Sequence, residues 1–141
     1  MTPLTFPYTT KQNPLFGQVS RPVMTVDLYS QLFQRWFKLS DVLVDTGADV
    51  SVVPLHLGEA LVTQIELGTP LHLGGAVLQD TPFNAYIHTL NAKIGSYQFQ
   101  MPVAIALSST PPVIFGRLHA LDRFQVIFNY GESITFVGRD Q

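Results

Sequence analysis

Cysteine is absent from the 141 residues, which excludes disulfides, thiolate zinc sites and a cysteine nucleophile, and fits a reducing compartment such as the cytoplasm. Charge is scarce as well: Asp, Glu, Lys and Arg make up 13% of the chain, and the net charge is −2. That balance gives no basic footprint for nucleic acid and no polybasic signal for a membrane surface. No apolar run approaches the ~20 residues of a membrane span. The opening Met1-Thr2-Pro3-Leu4-Thr5-Phe6-Pro7 has neither a basic region nor the apolar stretch of a secretory signal. The expectation is a soluble cytoplasmic protein with no nucleic-acid and no membrane partner. Glycine-rich nucleotide loops and a G-x-S-x-G elbow are also missing. His56, His72, His88 and His119 are scattered without ligand spacing, so neither a metal nor another cofactor is expected.

What is present is apolar. Hydrophobic residues form 46% of the sequence, enough for the core of one domain and too short a chain for two lobes. Residues 1–18 contain Pro3, Pro7, Pro14 and Gly17 without periodicity and read as an extended arm, leaving 19–141 as the folded domain. Val23 to Tyr29 and Phe33 to Leu39 alternate like the strands of a hairpin. Residues 71–78 and 83–90 read as two strands joined by a loop. Tyr97 to Leu107 is the longest strand-like stretch, with Pro102 implying an edge or a bulge. Phe124 to Phe128 and Ser133 to Val137 form a terminal hairpin around Asn129-Tyr130-Gly131-Glu132. Helical pattern is confined to Pro54–Val62, as a short helix or connector, and to Gly116–Phe124.

The most informative segment is Asp45-Thr46-Gly47, which occurs once. The apolar run Val42-Leu43-Val44 reads as a buried strand that delivers a carboxylate to the interior, where carboxylates are ordinarily avoided. Thr46 offers a short hydroxyl for backbone bonding, and Gly47 permits close approach of a second chain. The same tripeptide also serves as a plain turn, with the aspartate capping its own loop. Its surroundings favour the chemical reading: Ala48-Asp49 and the β-branched Val50 to Val53 follow it. Roughly seventy residues later comes Val113-Ile114-Phe115-Gly116-Arg117, leading into Leu118 to Phe124.

Leu43-Val44-Asp45-Thr46-Gly47-Ala48-Asp49 and Thr110-Pro111-Pro112-Val113-Ile114-Phe115-Gly116-Arg117 together resemble the retropepsin-type aspartic proteases, single-domain homodimeric relatives of pepsin. Arg21-Pro22-Val23 resembles the opening of the domain in retroviral members. The Asp-Arg-Phe strand and terminal hairpin resemble bacterial retropepsin-like proteins. The resemblance implies an all-β domain with a closed barrel-like core, a flap hairpin and one short C-terminal helix. It implies an aspartic endopeptidase whose dyad takes one Asp45 from each chain of a homodimer and acts on extended peptide or protein substrates. Two facing carboxylates cannot both ionise, so they share a proton, as aspartic-protease dyads do. The resemblance further implies Asp45, Thr46 and Gly47 as the catalytic loop, and substrate contacts from Ala48, Asp49, Gly75, Ala76, Val77, Pro112 and Ile114. An ion pair of Asp49 with Arg117 beneath the loop is implied as well, with Arg21 reaching it across the dimer. The alternative is a retropepsin-fold module that binds a peptide without hydrolysing it.

Overall fold

Alternating side chains build most of this chain into strands. The computed structural model describes residues 1–73 and 84–139. Strands β1 (Leu4–Pro7), β2 (Thr9–Asn13), β3 (Gly17–Arg21), β4 (Val23–Ser30), β5 (Arg35–Val44) and β6 (Ser51–Val53) lead to helix α1 (Leu55–Leu61), a 3-10 turn at Ile65–Leu67 and β7 (Thr69–Leu71). Strands β8 (Ala85–Ile94), β9 (Tyr97–Ala106) and β10 (Ile114–Phe115), a 3-10 turn at Leu121–Arg123, β11 (Phe124–Asn129) and β12 (Ser133–Gly138) follow.

The main sheet runs β4-β5-β10-β6-β9-β8-β7. It closes on itself where β4 pairs with β8 through Asp27↔Lys93 and Leu28↔Ala92. Six strands therefore form a closed barrel, with β7 as an added strand outside β8. Closure follows from patterning. Met24, Val26 and Leu28 of β4 point inward at 1–2% exposure, and Val42 and Val44 of β5 are buried beside them. Phe99, Met101, Val103 and Ile105 of β9 complete this core together with Phe115. The opposite face of β9 carries Ala104 and Ala106, which join Val52 and Ala85 in a smaller second cluster. Small side chains there leave a hollow on the outside of the barrel wall.

A second sheet, β1-β12-β11, lies against the main core through Ile134 and Phe136, both fully buried. Tyr130 and Gly131 take positive φ in the three-residue connection between the paired Asn129 and Ser133, where the Glu132 amide donates to the Asn129 carbonyl. The expected arm packs on the body of the domain. Leu4 to Pro7 pair in register with Phe136 to Ser133, Leu4 and Phe6 pack on the core, and β3 crosses the expected boundary at residue 18. Pro102 sits on an interior strand rather than an edge, and β6 covers only Val103 to Ile105, so the proline falls just beyond that partner.

The helical pattern of Pro54–Val62 forms α1, whereas that of Gly116–Phe124 yields turns and a 3-10 segment of three residues. His119 takes a left-handed φ of 52°, and the amides of Leu121 and Asp122 reach back five residues to Gly116 and Arg117. An α-helix cannot pass through that geometry. The expected flap segment, with Gly75, Ala76 and Val77, lies outside the described residues. Among those described, no helix is long and apolar enough to cross a membrane.

Strand β10 holds the barrel wall together at its narrowest point. It pairs parallel with β5 through Ile114↔Leu43 and Phe115↔Val44, and antiparallel with β6 through Ile114↔Val52. Gly116 follows it, and a Cβ there would lie 2.7 Å from both the carbonyl carbon and oxygen of Val50 and 2.9 Å from the Ala48 oxygen. These are backbone atoms that cannot rotate away. Gly116→Ala is expected to destabilise the protein by ~1–3 kcal/mol, read as a lowered urea midpoint at unchanged m-value; an unchanged midpoint would show that the loop gives way without cost.

Candidate active site

Asp45 stands at the point where β5 leaves the barrel. Val44 before it is 5% exposed, while Asp45 is half-buried and Thr46 and Gly47 are exposed. The carboxylate is thus delivered to an open surface of the chain rather than to its interior. Backbone bonds fix its place. The Asp45 amide donates to the Phe115 carbonyl at 3.1 Å, and the Ala48 amide donates to the Asp45 carbonyl at 3.2 Å. The Gly47 amide donates to Asp45 Oδ1 at 2.9 Å, the aspartate-capped turn that a short Asp-x-Gly loop favours.

The loop is also held from the far side. Arg117 donates its amide to the Ala48 carbonyl at 3.0 Å, and Leu118 donates to Asp49 at 2.9 Å. Ser51, 2% exposed, accepts the Gly116 amide on its hydroxyl at 3.0 Å. Four backbone or hydroxyl contacts therefore tie residues 45–51 to 115–118. The Asp45 carboxylate is positioned by main chain, so side-chain rotamer freedom contributes little to its placement.

The structure brings most of the expected site together. A groove of about 780 Å³ is lined by Asp45, Gly47, Ala48 and Asp49 at one end and by Val50, Val52, Leu71, Leu73, Ala106 and Ile114 along its floor. Part of the floor belongs to the second apolar cluster, through Val52, Ala106 and the partly buried Val50, Leu71, Leu73 and Ile114 packed on it. Ser108, Thr110 and Pro111 form part of its rim. Pro112 is exposed and does not line the groove; its neighbour Pro111 takes that place. Leu71, His72, Leu73 and Asn84 were not anticipated. They arrive through the pairing of β7 with β8, and only the apolar spacing of Leu71 and Leu73 hinted at a shared face.

The ion pair of Asp49 with Arg117 is present. Its side chains are 88% and 47% exposed, so within one chain it is an open surface pair, generally worth ~0–1 kcal/mol, and not the buried pair that the family resemblance implies. Arg21 is half-buried at the end of β3 and makes no ion pair among the described residues. Thr46 makes no side-chain hydrogen bond among them either. No group of three or more His, Cys, Asp or Glu side chains that could hold a metal is found among the described residues. The groove therefore offers one well-placed carboxylate at its head and an apolar floor. A single carboxylate can act as base or as acid, but it cannot do both in one step.

No family model matches the chain, and comparison of its sequence with curated proteins returns no match. Solved structures do match. A retropepsin-like aspartic protease from Rickettsia conorii superposes with a TM-score of 0.56 at 14% identity, over 96% of this chain and 92% of that one. The EIAV protease, in complex with the inhibitor HBY-793, gives a TM-score of 0.41 at 21% identity, over 76% of this chain and 88% of that one. At such identities the likeness concerns the fold. With a closed barrel whose wall is completed by β10, and a likeness to the rickettsial structure along nearly its whole length, the chain has a retropepsin-like fold.

Proposed function

We propose that this protein is an aspartic endopeptidase that works as a homodimer and cleaves extended peptides. The observation that carries the reading is the placement of Asp45. It is a carboxylate braced by main-chain bonds at the head of an apolar groove of about 780 Å³, whose other carboxylate, Asp49, is engaged by Arg117. Two copies facing across a two-fold axis supply what one lacks. The ionised Asp45 takes a proton from water while the water oxygen attacks the scissile carbonyl carbon. The protonated Asp45 of the other copy donates its proton to the carbonyl oxygen. Collapse of the tetrahedral species breaks the C–N bond, with a proton passing to the leaving nitrogen. Ala48 and Asp49 flank the substrate main chain, and Ile114 with the apolar floor receives its side chains, as in strand-addition recognition generally.

The second copy is also suggested by what the chain leaves uncovered. Exposed strand edges are commonly blunted by proline, lysine or a bulge. Strand β1 carries Pro7, β7 carries Pro70, and the β2–β3 hairpin carries Lys11 and Arg21. Strand β11, Phe124-Gln125-Val126-Ile127-Phe128-Asn129, has no charge, no proline and an uninterrupted register with β12. Phe6, Ile134 and Phe128 form one row across the three strands. Ile134 is fully buried, but Phe128 is 44% exposed, because among the described residues no strand pairs with the outer edge of β11. Antiparallel pairing of β11 with its own copy covers that ring, and registers with Val126 or Ile127 on the axis keep both core faces on the same side. The edge follows directly from the 117–123 turn that holds the Asp45 loop, so dimerisation and site assembly share one segment. A second chain packed there also desolvates the Asp49–Arg117 pair.

Two outcomes are expected. Asp45→Asn leaves the circular dichroism spectrum and sedimentation unchanged and lowers peptide cleavage by ~10³-fold or more, measured by mass spectrometry on a diverse peptide mixture between pH 4 and pH 7; a folded variant that still cleaves refutes the dyad. If neither parent nor variant cleaves while both are dimeric, the non-hydrolysing peptide-binding module is the correct reading. Phe128→Asp places an unpaired charge at the proposed interface and weakens the dimer by ~100-fold, read by sedimentation equilibrium, with activity recovered at high protein concentration. Full dimerisation of that variant removes β11 from the interface.

A further inference from the structure

The side chain of Asn84 occupies a position that neither the motif nor the chemistry of the dyad accounts for. It stands immediately before β8, one residue beyond the last rung that joins β7 to β8, Leu71↔Ala85. Its backbone extends both neighbouring ladders. The Asn84 amide donates to the Leu71 carbonyl at 3.2 Å, and the Asn84 carbonyl accepts from the Leu107 amide at 2.9 Å. The side chain adds a bond that the backbone cannot reach: Oδ1 accepts the Leu73 amide at 2.7 Å. Strand β7 ends at Leu71, so without that acceptor Leu73 has no ladder to hold it.

Leu71, Leu73, Asn84 and Ala106 all line the groove, and Leu107 leads into its rim at Ser108 and Thr110. One residue thus links three separate pieces of the groove wall: the chain end beyond β7, the start of β8 and the exit of β9. Leu73 packs on the second apolar cluster, which forms the floor. Its place there is set by a short amide-to-carboxamide bond rather than by regular sheet pairing.

We propose that Asn84 is a positioning residue for substrate selection, holding Leu73 against the groove so that the wall fits an apolar substrate side chain. This role rests on the protease reading above. Asn84 touches neither the Asp45 carboxylate nor its brace among the described contacts, so it acts on how well a substrate fits and not on proton transfer. An interaction of that kind, equal in ground and transition states, changes KM and leaves kcat unchanged. Asparagine is suited to the task because a neutral carboxamide supplies the acceptor without adding a third carboxylate to a groove that already contains Asp45 and Asp49.

The test uses the full chain with Asn84→Ala and Asn84→Asp, read in two ways. Amide hydrogen exchange by NMR reports the clamp directly. Leu73 exchange rises by about tenfold or more in Asn84→Ala and stays near the parent value in Asn84→Asp, whose carboxylate still accepts the bond. Steady-state kinetics report the role. For an uncharged peptide with leucine in the preferred pocket, KM rises by about tenfold in Asn84→Ala with kcat within about twofold of the parent, and Asn84→Asp restores KM near neutral pH. Preference for leucine over alanine in that pocket shrinks in parallel.

Unchanged Leu73 exchange in Asn84→Ala overturns the clamp whatever the kinetics show. Faster exchange with KM, kcat and pocket preference all unaltered overturns the positioning role. A fall in kcat with KM unchanged contradicts it as well, because that result places Asn84 in the chemical step. If the parent protein cleaves nothing, the protease reading fails on its own terms, and the clamp is then judged by Leu73 exchange alone.

Discussion

Everything the site can do depends on two residues of strand. Strand β10, Ile114–Phe115, is wedged between β5 and β6, and it carries the segment that braces the loop bearing Asp45. Phe115 supplies the carbonyl that holds the Asp45 amide, and the residues just beyond it hold Ala48, Asp49 and Ser51. All but one of these bonds join main chain to main chain, and the exception, from the Gly116 amide to the Ser51 hydroxyl, is buried. The demand for glycine at position 116 is the counterpart of the same closeness. A side chain there would push apart the two segments whose contact makes the site.

From that constraint follows the incompleteness of one chain. The brace places a single carboxylate at the head of a groove and leaves it half-buried, with Thr46, Gly47 and Asp49 open to solvent. The proposed second copy covers the Phe128 ring, takes the ion pair out of water and brings in the partner carboxylate. The pair then matters in a way that it does not in one chain, because removing one member leaves the other buried and unpaired.

How much of this was legible in the sequence depended on whether a feature was local. The buried approach of β5 was visible in Val42-Leu43-Val44, and β10 in Val113-Ile114-Phe115, because short apolar runs declare buried strands. The hairpin of β11 and β12 was visible through Asn129-Tyr130-Gly131. The helix read into residues 116–124 failed because its pattern of apolar residues is real but its backbone is committed elsewhere: the amides of Arg117 and Leu118 bond the Asp45 loop, and His119 turns left-handed. The arm was read as extended because Pro3 and Pro7 break periodicity, yet Leu4 and Phe6 find partners more than a hundred residues away on β12. Asn84 was illegible for the same reason. Its importance arises from where β7, β8 and β9 end relative to one another, and nothing in the residues around it reports that.

The central claim is that a working site needs an Asp45 from each of two chains, and a subunit-mixing experiment tests it most directly. Parent and Asp45→Asn chains, unfolded together and refolded at fixed total concentration, distribute randomly among dimers. If the dyad is shared, activity falls as the square of the parent fraction, to about one quarter in an equal mixture. A linear fall, with about half the activity retained in that mixture, would show that each chain carries out the chemistry alone and would contradict the account.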